Sequence, residues 1–329
     1  MNLYPLIKLL SNGQFQTGTQ LGEQLGISRA AIWKQIQQLP SLGLEIITKK
    51  NDGYCLAQPL QLLDIEQLQA QLLAAHSSLA LSFYPVIDST NAELARCLAN
   101  GEAASPRLLL AEKQTAGRGR RGRDWFSPYA ASLSLSLSCQ VEGGANALQG
   151  LSLAVGVVIK EVLEQQGING VQLKWPNDLY LNNAKLGGIL IELSGDFSGP
   201  CNLVVGLGLN VFRPQQPEEL DWEKIDQPVT FLSDTDSNFT LCRTRLAADL
   251  ALALEQLLIN FSVQGFEPWQ ERWNAAHIWA GEKAFIITPN QQVAVTLGGV
   301  NAIGELQVTY DDGLQGLINA GEVSVRVRE

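Results

Sequence analysis

Histidine and methionine are scarce in this sequence, and cysteine follows no pattern. Only two histidines and one methionine occur among 329 residues, so we expect neither a polyhistidine metal site nor a catalytic histidine triad. The sequence has no C-x-x-C pair, which argues against a cysteine-bound zinc ion and indicates unpaired thiols in a reducing cytoplasm. The five isolated cysteines are Cys55, Cys97, Cys139, Cys201 and Cys242.

Long apolar runs are also missing. No stretch approaches the roughly 20 unbroken apolar residues that a membrane span needs. The first ten residues contain Pro5 and Lys8 and lead into polar sequence, so we do not expect a signal peptide. With 46% hydrophobic and 17% charged residues, the composition predicts a globular, cytoplasmic protein without a membrane partner.

Basic residues are outnumbered, 23 against 33 acidic ones, and they are unevenly placed. Residues 1–57 carry five basic and three acidic side chains, a net charge of +2. The remainder carries 18 basic and 30 acidic side chains, a net charge of −12. We therefore expect only the N-terminal end to meet a polyanion.

That end has the pattern of a helix-turn-helix. Apolar residues at helical spacing predict a helix over 3–10. A short helix over 20–25 is expected to be capped by Thr19, and another over 29–39 by Ser28. Two helices joined by a tight turn that contains glycine form this motif.

A hairpin follows and completes a winged helix. Strands over 44–49 and 54–56 are joined at Asn51-Asp52-Gly53, a favourable hairpin turn. DNA binding is the commonest use of such a module, although a winged helix that serves protein contacts is an alternative. The residues expected to contact DNA are Ser28, Arg29, Lys34, Lys49 and Lys50.

An arginine-glycine run is the most unusual segment. Residues 117–123 read Gly-Arg-Gly-Arg-Arg-Gly-Arg, so four arginines fall within seven residues of an acidic chain. Clustered guanidinium groups repel one another unless an anion is bound, and glycines let a backbone approach that anion. The run predicts a flexible clamp for phosphate or carboxylate. Nonspecific nucleic-acid binding is the alternative.

A second constellation lies in the middle of the chain. Lys174-Trp175-Pro176-Asn177-Asp178 is followed by Lys185-Leu186-Gly187-Gly188 on a predicted hairpin. A compact ammonium beside glycines can neutralise a carboxylate or a phosphate, whereas a solvated hairpin lysine is the default alternative. A strand over 81–86 also runs into the polar helix start Asp88-Ser89-Thr90-Asn91, where a Thr90–Glu93 capping box alone would explain the residue types.

The remaining patterns predict an α+β protein of three domains. Strands follow one another with few intervening helices, which predicts a mixed, largely antiparallel central sheet with helices on one face. Within it, 132–138 alternates Leu with Ser and predicts one buried face, and 146–165 predicts a long helix. Short strands after 282 predict an SH3-like β-barrel. We expect the winged helix over 1–63, the central domain over 64–276 and the barrel over 277–329.

These motifs, in this order and spacing, resemble those of biotin–protein ligases. With the winged helix in front, the whole chain is similar to the bifunctional members that also repress transcription. The resemblance implies a class II synthetase-like ligase fold and two half-reactions. Biotin and MgATP would give biotinyl-adenylate and pyrophosphate, and a lysine of a carboxylase carrier protein would then accept biotin.

The resemblance also implies roles for residues. It assigns catalysis to Lys185, Arg118, Arg120 and Asp178, with Arg118 and its loop retaining the adenylate. It assigns biotin binding to Ser89, Thr90, Asn91, Gln114, Gly117, Arg118, Gly119, Arg120 and Lys185. It assigns ATP or adenylate binding to Arg118, Arg121, Trp125, Lys174, Asn177, Asn210 and Trp222, with 213–232 as a loop over the adenylate. It makes Asp178 a partner of either Lys185 or the Mg²⁺ ion and otherwise leaves the Mg²⁺ ligands unknown.

The resemblance further implies that biotinyl-AMP acts as corepressor, favouring a homodimer that binds operator DNA and silences biotin-synthesis genes. Three alternatives remain at this point. A lipoate–protein ligase would share the fold but not the arginine-glycine run. A sensor without catalysis would have no need of so much anion-stabilising charge. A biotin carrier is disfavoured because its acceptor lysine is flanked by methionine, and the one methionine here is Met1.

Overall fold

A computed structural model describes residues 2–101, 105–195, 199–214, 225, 227–235, 241–288, 291–321 and 323–328. The N-terminal part contains helices α1 (Tyr4–Leu10), α2 (Gly18–Leu25) and α3 (Arg29–Ile36), followed by strands β1 (Ile46–Lys49) and β2 (Gly53–Leu56). The two strands pair antiparallel through the Lys49–Gly53 turn. Three helices and a hairpin form the predicted winged helix-turn-helix.

Two helix boundaries in this part differ from the prediction. Thr17, not Thr19, caps α2, because Thr17 and Gln20 form a reciprocal capping box. Ser28 caps α3 as predicted and accepts from the Ala31 backbone N–H. The helix ends at Ile36 rather than 39 and is followed by a 3₁₀ turn, since Pro40 has no N–H to continue an α-helix.

The central domain is built on a seven-stranded sheet. Its strands are β3 (Ala80–Ile87), β4 (Arg107–Gln114), β5 (Ser132–Val141), β6 (Gln172–Lys174), β7 (Asp178–Leu181), β8 (Ala184–Gly195) and β9 (Cys201–Asn210). The spatial order is β3-β4-β5-β9-β8-β7-β6. Only the β3–β4 pair is parallel among the described pairings. The mixed, largely antiparallel sheet is therefore confirmed.

Helices cover both faces of this sheet, so the prediction of helices on one face is wrong. Helices α6 (Leu151–Gln165) and α7 (Arg243–Gln264) bury their apolar residues in the main core with α4 (Ile65–Ala74) and α8 (Gln270–Ala276). Helix α5 (Thr90–Ala99) packs on the opposite face, with Leu94 and Leu98 against Leu109 and Val204. Neighbouring strand residues point to opposite faces, which allows one sheet two separate cores.

Two further predictions need correction. All seven residues of 132–138 are buried, since α5 covers the serine face of β5. The helix expected over 146–165 begins only at Leu151, because Gly150 adopts a left-handed conformation (φ 76°) and separates it from a 3₁₀ turn. Helix α6 with that turn, and α7, have the length and mean hydropathy of membrane spans. Their packing in the core accounts for that hydropathy.

The C-terminal part is a five-stranded antiparallel sheet. It contains β10 (Lys283–Ile287), β11 (Gln292–Val300), β12 (Leu306–Tyr310), β13 (Gln315–Ile318) and β14 (Ser324–Val327), in the order β13-β12-β11-β10-β14. The described pairings do not join β13 to β14, so barrel closure stays a prediction.

A buried ion pair ties the linker after the wing to the central sheet. Arg243, at the start of α7, lies 2.8 Å from Glu112 on β4, and both side chains are fully buried. The same guanidinium donates to the carbonyls of Gln61 and Ser132, while Glu112 accepts from the Leu63 backbone N–H. Both oxygens of the Glu112 carboxylate thus accept a hydrogen bond, from Arg243 Nη1 and from the Leu63 N–H, while Arg243 Nε has no hydrogen-bond partner among the described residues. These bonds fix the linker against the strand that leads to Gln114.

Candidate active site

A cavity of about 760 Å³ opens on the face of the sheet that carries α5. The arginine-glycine run, the 174–178 segment, β8, β9 and β14 line it together. Segments more than 200 residues apart in the chain thus meet at one concave site.

Glycines on β9 and β8 form its floor. Gly206, Gly208 and Asn210 alternate along β9 and so point to the same face. A Cβ at Gly206 would overlap the Asn91 amide, and one at Gly208 would overlap the Trp125 ring. Side chains of the site therefore lie directly on the sheet because these positions have none of their own.

The start of α5 supplies a polar network. Gln114 Oε1 accepts from the Thr90 backbone N–H at 2.7 Å and from the Thr90 hydroxyl at 3.1 Å. Ser136 Oγ lies 2.7 Å from Thr90 Oγ1 and 2.6 Å from Asn91 Oδ1. Ser89, rather than a Thr90–Glu93 box, caps the helix. Thr90 is therefore released from capping and serves this network, which can orient a polar ring.

Asn91 connects this network to Arg118. Its amide donates to Glu192 at 2.8 Å, and Glu192 pairs with Arg118 at 3.1 Å. The Arg118 side chain is 48% exposed. It consequently lies at the rim of the cavity.

Lys185 and Asp178 form the charged centre. Their Nζ and Oδ1 atoms are 2.8 Å apart, and the side chains are only 16% and 13% exposed. Asp178 on β7 lies opposite Gly188 on β8 in the antiparallel register, and this register brings Asp178 close to Lys185 on the same hairpin. A partly desolvated ammonium held in this way is preorganised to stabilise an anion.

The arginine-glycine run folds back as a hairpin. The Trp125 backbone N–H donates to the Gly117 carbonyl at 2.9 Å, and the Gly119 N–H donates to the Arg123 carbonyl at 2.7 Å. Gly117 lies so close to Trp125 that a Cβ there would overlap its carbonyl. This turn aims Arg120 inward while Gly119 borders the cavity.

Arg120 is the one partly buried arginine of the run, whereas the other three are exposed. It donates to Asn177 Oδ1 at 3.3 Å, to the Gly321 carbonyl at 2.7 Å and to the Ala320 carbonyl. Burial lowers the pKa of its guanidinium, and nearby Asp178 opposes that shift. Arg121 has a left-handed backbone (φ 59°) and donates to Ser324. An inward cation beside Asp178 and Lys185 identifies Arg120, more than Arg118, with the charged centre.

The segment around Lys174 joins the site to the C-terminal part. Lys174 Nζ lies 3.1 Å from the Tyr180 hydroxyl and 4.6 Å from the centroid of the Trp279 ring. Asn177 donates to the Ile189 carbonyl at 2.8 Å. Both residues line the cavity.

Trp125 and Asn210 border the cavity farther along β9. Asn210 donates to the Thr230 carbonyl at 3.2 Å. Residues 228–230 run beside Lys185, whose backbone N–H donates to the Pro228 carbonyl at 2.8 Å. The described part of the predicted 213–232 loop thus lies next to Lys185, while Trp222 lies outside the described residues.

Histidine, cysteine and carboxylate groups do not gather into a metal site anywhere in the described ranges. Within the cavity, Asp178 is paired with Lys185, and Glu192 with Arg118. This donor set suits a Mg²⁺ ion that arrives on nucleotide phosphates and keeps most of its oxygen ligands from them.

Sequence reasoning missed Ser136, Glu192, Gly206 and Gly208. The alternation of Leu with Ser was the available indication for Ser136, because a serine face makes little sense in a purely apolar core. The sequence also contained no indication that Trp279 and the β14 region of the C-terminal part line the cavity.

The predicted DNA-contacting residues lie apart from this cavity. Ser28, Arg29 and Lys34 lie at α3, and Lys49 and Lys50 on the wing, where all five are exposed. Lys49 Nζ is held 4.4 Å above the ring of Phe15.

Comparison with known proteins agrees with both regions. The Biotin/lipoate A/B protein ligase family matches residues 83–210, and an HTH domain matches residues 3–55. The Bifunctional ligase/repressor BirA of Salmonella typhimurium is 39% identical over 98% of this chain and 97% of its own length. The chain belongs to the bifunctional ligase/repressor family of biotin protein ligases.

A solved structure supports the same assignment for the ligase part. The biotin protein ligase from Aquifex aeolicus, in complex with biotin and ATP, matches with a TM-score of 0.63 and 28% identity. It covers 75% of this chain and 99% of that chain. The Biotin--[acetyl-CoA-carboxylase] ligase of Mycobacterium tuberculosis is 33% identical over 76% of this chain and 88% of its own length. The ligase/repressor family thus accounts for both the cavity and the winged helix.

Proposed function

We propose that this chain activates biotin with MgATP and transfers it to a lysine of a biotin carboxyl carrier protein. The observation that carries the proposal is the convergence of Lys185, Asp178 and Arg120 on a glycine-floored cavity. A carboxylate must meet a triphosphate in this reaction, and partly buried cations offset the repulsion between them. We place the protein in the cytoplasm, since its five cysteines, all among the described residues, form no disulfide.

In the first step, a carboxylate oxygen of biotin attacks the α-phosphorus of ATP. The new bond gives biotinyl-AMP, and the bond to the β-phosphate oxygen breaks to release pyrophosphate. Lys185 and Arg120 stabilise the charge on the five-coordinate phosphorus. Asp178 orients Lys185 until the anion takes over this role.

The polar network and β9 suggest how the two substrates lie. We assign the ring of biotin to the end that carries Thr90, Gln114 and Asn91, where donors and acceptors are already organised. We assign the adenine to the Trp125 and Asn210 end. Gly206 and Asn210 are four residues apart, so the floor extends about 13 Å along the strand, a length suited to an elongated acyl-adenylate.

In the second step, a lysine amine of the carrier attacks the acyl carbon, loses a proton and expels AMP. The mixed anhydride is also open to attack by water, so a cover that excludes water is useful. The 117–125 hairpin and the 228–230 segment are suited to that task. Mg²⁺ enters with ATP, bound by its phosphates. We also propose that the C-terminal sheet is the SH3-like barrel of this family.

Pyrophosphate release in the presence of biotin or of lipoate tests the ligase activity. We expect release that depends on biotin and MgATP, with no release above background when lipoate replaces biotin. Release that depends on lipoate alone would assign the chain to the lipoate branch of the matched family. Carrier labelling by the preformed adenylate separates the second step from the first.

We further propose that the adenylate-bound protein forms a homodimer and represses transcription from an operator. A single winged helix with a net charge of +2 neutralises few phosphates, and a symmetric dimer doubles them. Sedimentation and operator binding, each with and without biotin plus MgATP, test this coupling. If neither quantity responds to the adenylate, the winged helix is only an accessory to the ligase.

A further inference from the structure

The exposed face of α3 contains a tryptophan that the ligase does not use. Trp33 is 53% exposed, and among the described residues it is the one tryptophan that stands out on the surface in this way. Arg29, Ala30 and Gln37, three or four positions away on the helix, share its face, and Lys34 follows it in the chain; all four are exposed. Ile32 and Ile36, to one side of Trp33 on the helix, are buried. An aromatic side chain therefore lies on the exposed surface of α3, with basic and polar residues beside it.

This face has few uses other than contact with a partner. An indole that is 53% exposed gains less from folding than a buried one, and tryptophan is enriched at interfaces relative to the rest of the protein surface. The charges around it favour a polyanion, since Arg29 and Lys34 are exposed on the same helix and Lys49 and Lys50 lie on the wing. The rest of the chain, with a net charge of −12, would repel such a partner. Duplex DNA fits these charges, and the second helix of a helix-turn-helix enters the major groove.

We propose that Trp33 is a specificity-determining residue of the repressor, which reads the C5-methyl group of a thymine in the operator. This inference rests on the repressor function proposed above. The major groove presents one apolar group, the thymine methyl, and apolar side chains recognise it by contact. The indole carries no formal charge, so it adds little to phosphate binding. Arg29 and Lys34 supply charge, and Trp33 supplies discrimination among base pairs.

The test begins with an operator selected from random duplexes by the intact protein with biotin and MgATP. Thymines in the selected site are replaced one at a time by uracil, which removes only the methyl group. We expect one position at which uracil weakens wild-type binding about fourfold, the factor for one buried methyl group. The Trp33→Ala protein should bind the thymine and uracil sites equally at that position.

Lys34→Ala is the matched control on the same helix. It should weaken binding to operator and random duplex alike and reduce the salt dependence by about one phosphate contact. Trp33→Ala should instead lower operator affinity by about tenfold or more, as for a mismatched base pair, and leave the salt dependence unchanged. Circular dichroism and thermal unfolding check that both variants are folded.

Three results would overturn the proposal. In the first, replacement of thymine by uracil weakens wild-type binding at no position, or it weakens binding of the Trp33→Ala protein at the same position just as much. In the second, Trp33→Ala weakens random and operator DNA equally, which would make it a backbone contact. In the third, DNA binding is unaffected and sedimentation changes, which would assign Trp33 to a protein interface. If the wild-type protein selects no duplex at all, the repressor function itself fails, which is a separate outcome.

Discussion

Replacement of Lys185 by alanine should nearly abolish adenylate formation. The ammonium lies 2.8 Å from Asp178, and both side chains are largely buried. Loss of one preorganised charge in such a site costs about 3–4 kcal/mol of transition-state stabilisation, or a factor of about 10²–10³ in rate. The variant also leaves the Asp178 carboxylate without its cation, so the incoming phosphate meets an added negative charge.

The effect of the unpaired Asp178 carboxylate can be separated from the loss of the Lys185 charge by a double-mutant cycle. Asp178→Asn in the Lys185→Ala background removes the unpaired carboxylate and should recover part of the lost rate. In the wild-type background the same change should slow the reaction, because Lys185 loses its orienting partner. The coupling between the two positions then measures how much of the defect is electrostatic.

The assay is single-turnover formation of pyrophosphate from biotin and MgATP. Lys160→Ala is the matched control, because Lys160 pairs with Glu164 on α6, outside the residues that line the cavity, and its loss should leave the rate unchanged. Adenylate formation by Lys185→Ala at the wild-type rate would refute the catalytic assignment. A double variant slower than Lys185→Ala alone would refute the account of Asp178.

Three shorter predictions concern retention of the adenylate and stability. Arg118→Gly should release biotinyl-AMP and label lysines of added bystander proteins, measured by mass spectrometry; label confined to one carrier lysine would contradict this. Glu112→Gln breaks a fully buried pair and should cost about 3–5 kcal/mol in denaturant unfolding, whereas Glu161→Gln, in a half-exposed pair, should cost under about 1 kcal/mol. Burial lowers the pKa of His277 to about 4 from 6.5. Because the folded state holds this imidazole neutral, its full contribution to stability is present above pH 6.5, and up to about 3 kcal/mol of the free energy of unfolding is lost as pH falls towards 4. His277→Gln should lack this pH dependence.

The sequence could predict much of the charged centre. Asp178 and Lys185 flank a short hairpin, so their proximity follows from local geometry. Residues whose contacts depend on the order of strands in the sheet could not be found in this way. Glu192 meets Asn91 because β8 and α5 share one face, a relation that no local pattern records. Ser136 is a partial exception, since the buried serine face of β5 indicated a polar neighbour.

The misplaced helix caps have a similar explanation. Thr17 and Thr19 are both acceptable capping residues. Only Thr17 has glutamine three positions later to complete a capping box, while Thr19 has Gly22. The capping box therefore decides where the helix starts, and the glutamine three positions after Thr17 predicts that start.

The contacts of Arg120 suggest how substrate can rearrange the site. Its guanidinium now donates to the neutral carbonyls of Ala320 and Gly321 in the C-terminal part. Hydrogen bonds to a carboxylate or phosphate are roughly twice as strong as those to neutral acceptors. An arriving carboxylate or phosphate is therefore a stronger acceptor for Arg120 than these carbonyls and can replace them. Since Arg121 is bound to Ser324 in the same region, that exchange would change how the arginine hairpin rests on β14. The segment between β13 and β14 therefore borders the cavity and provides Arg120 with acceptors that are weaker than an anion.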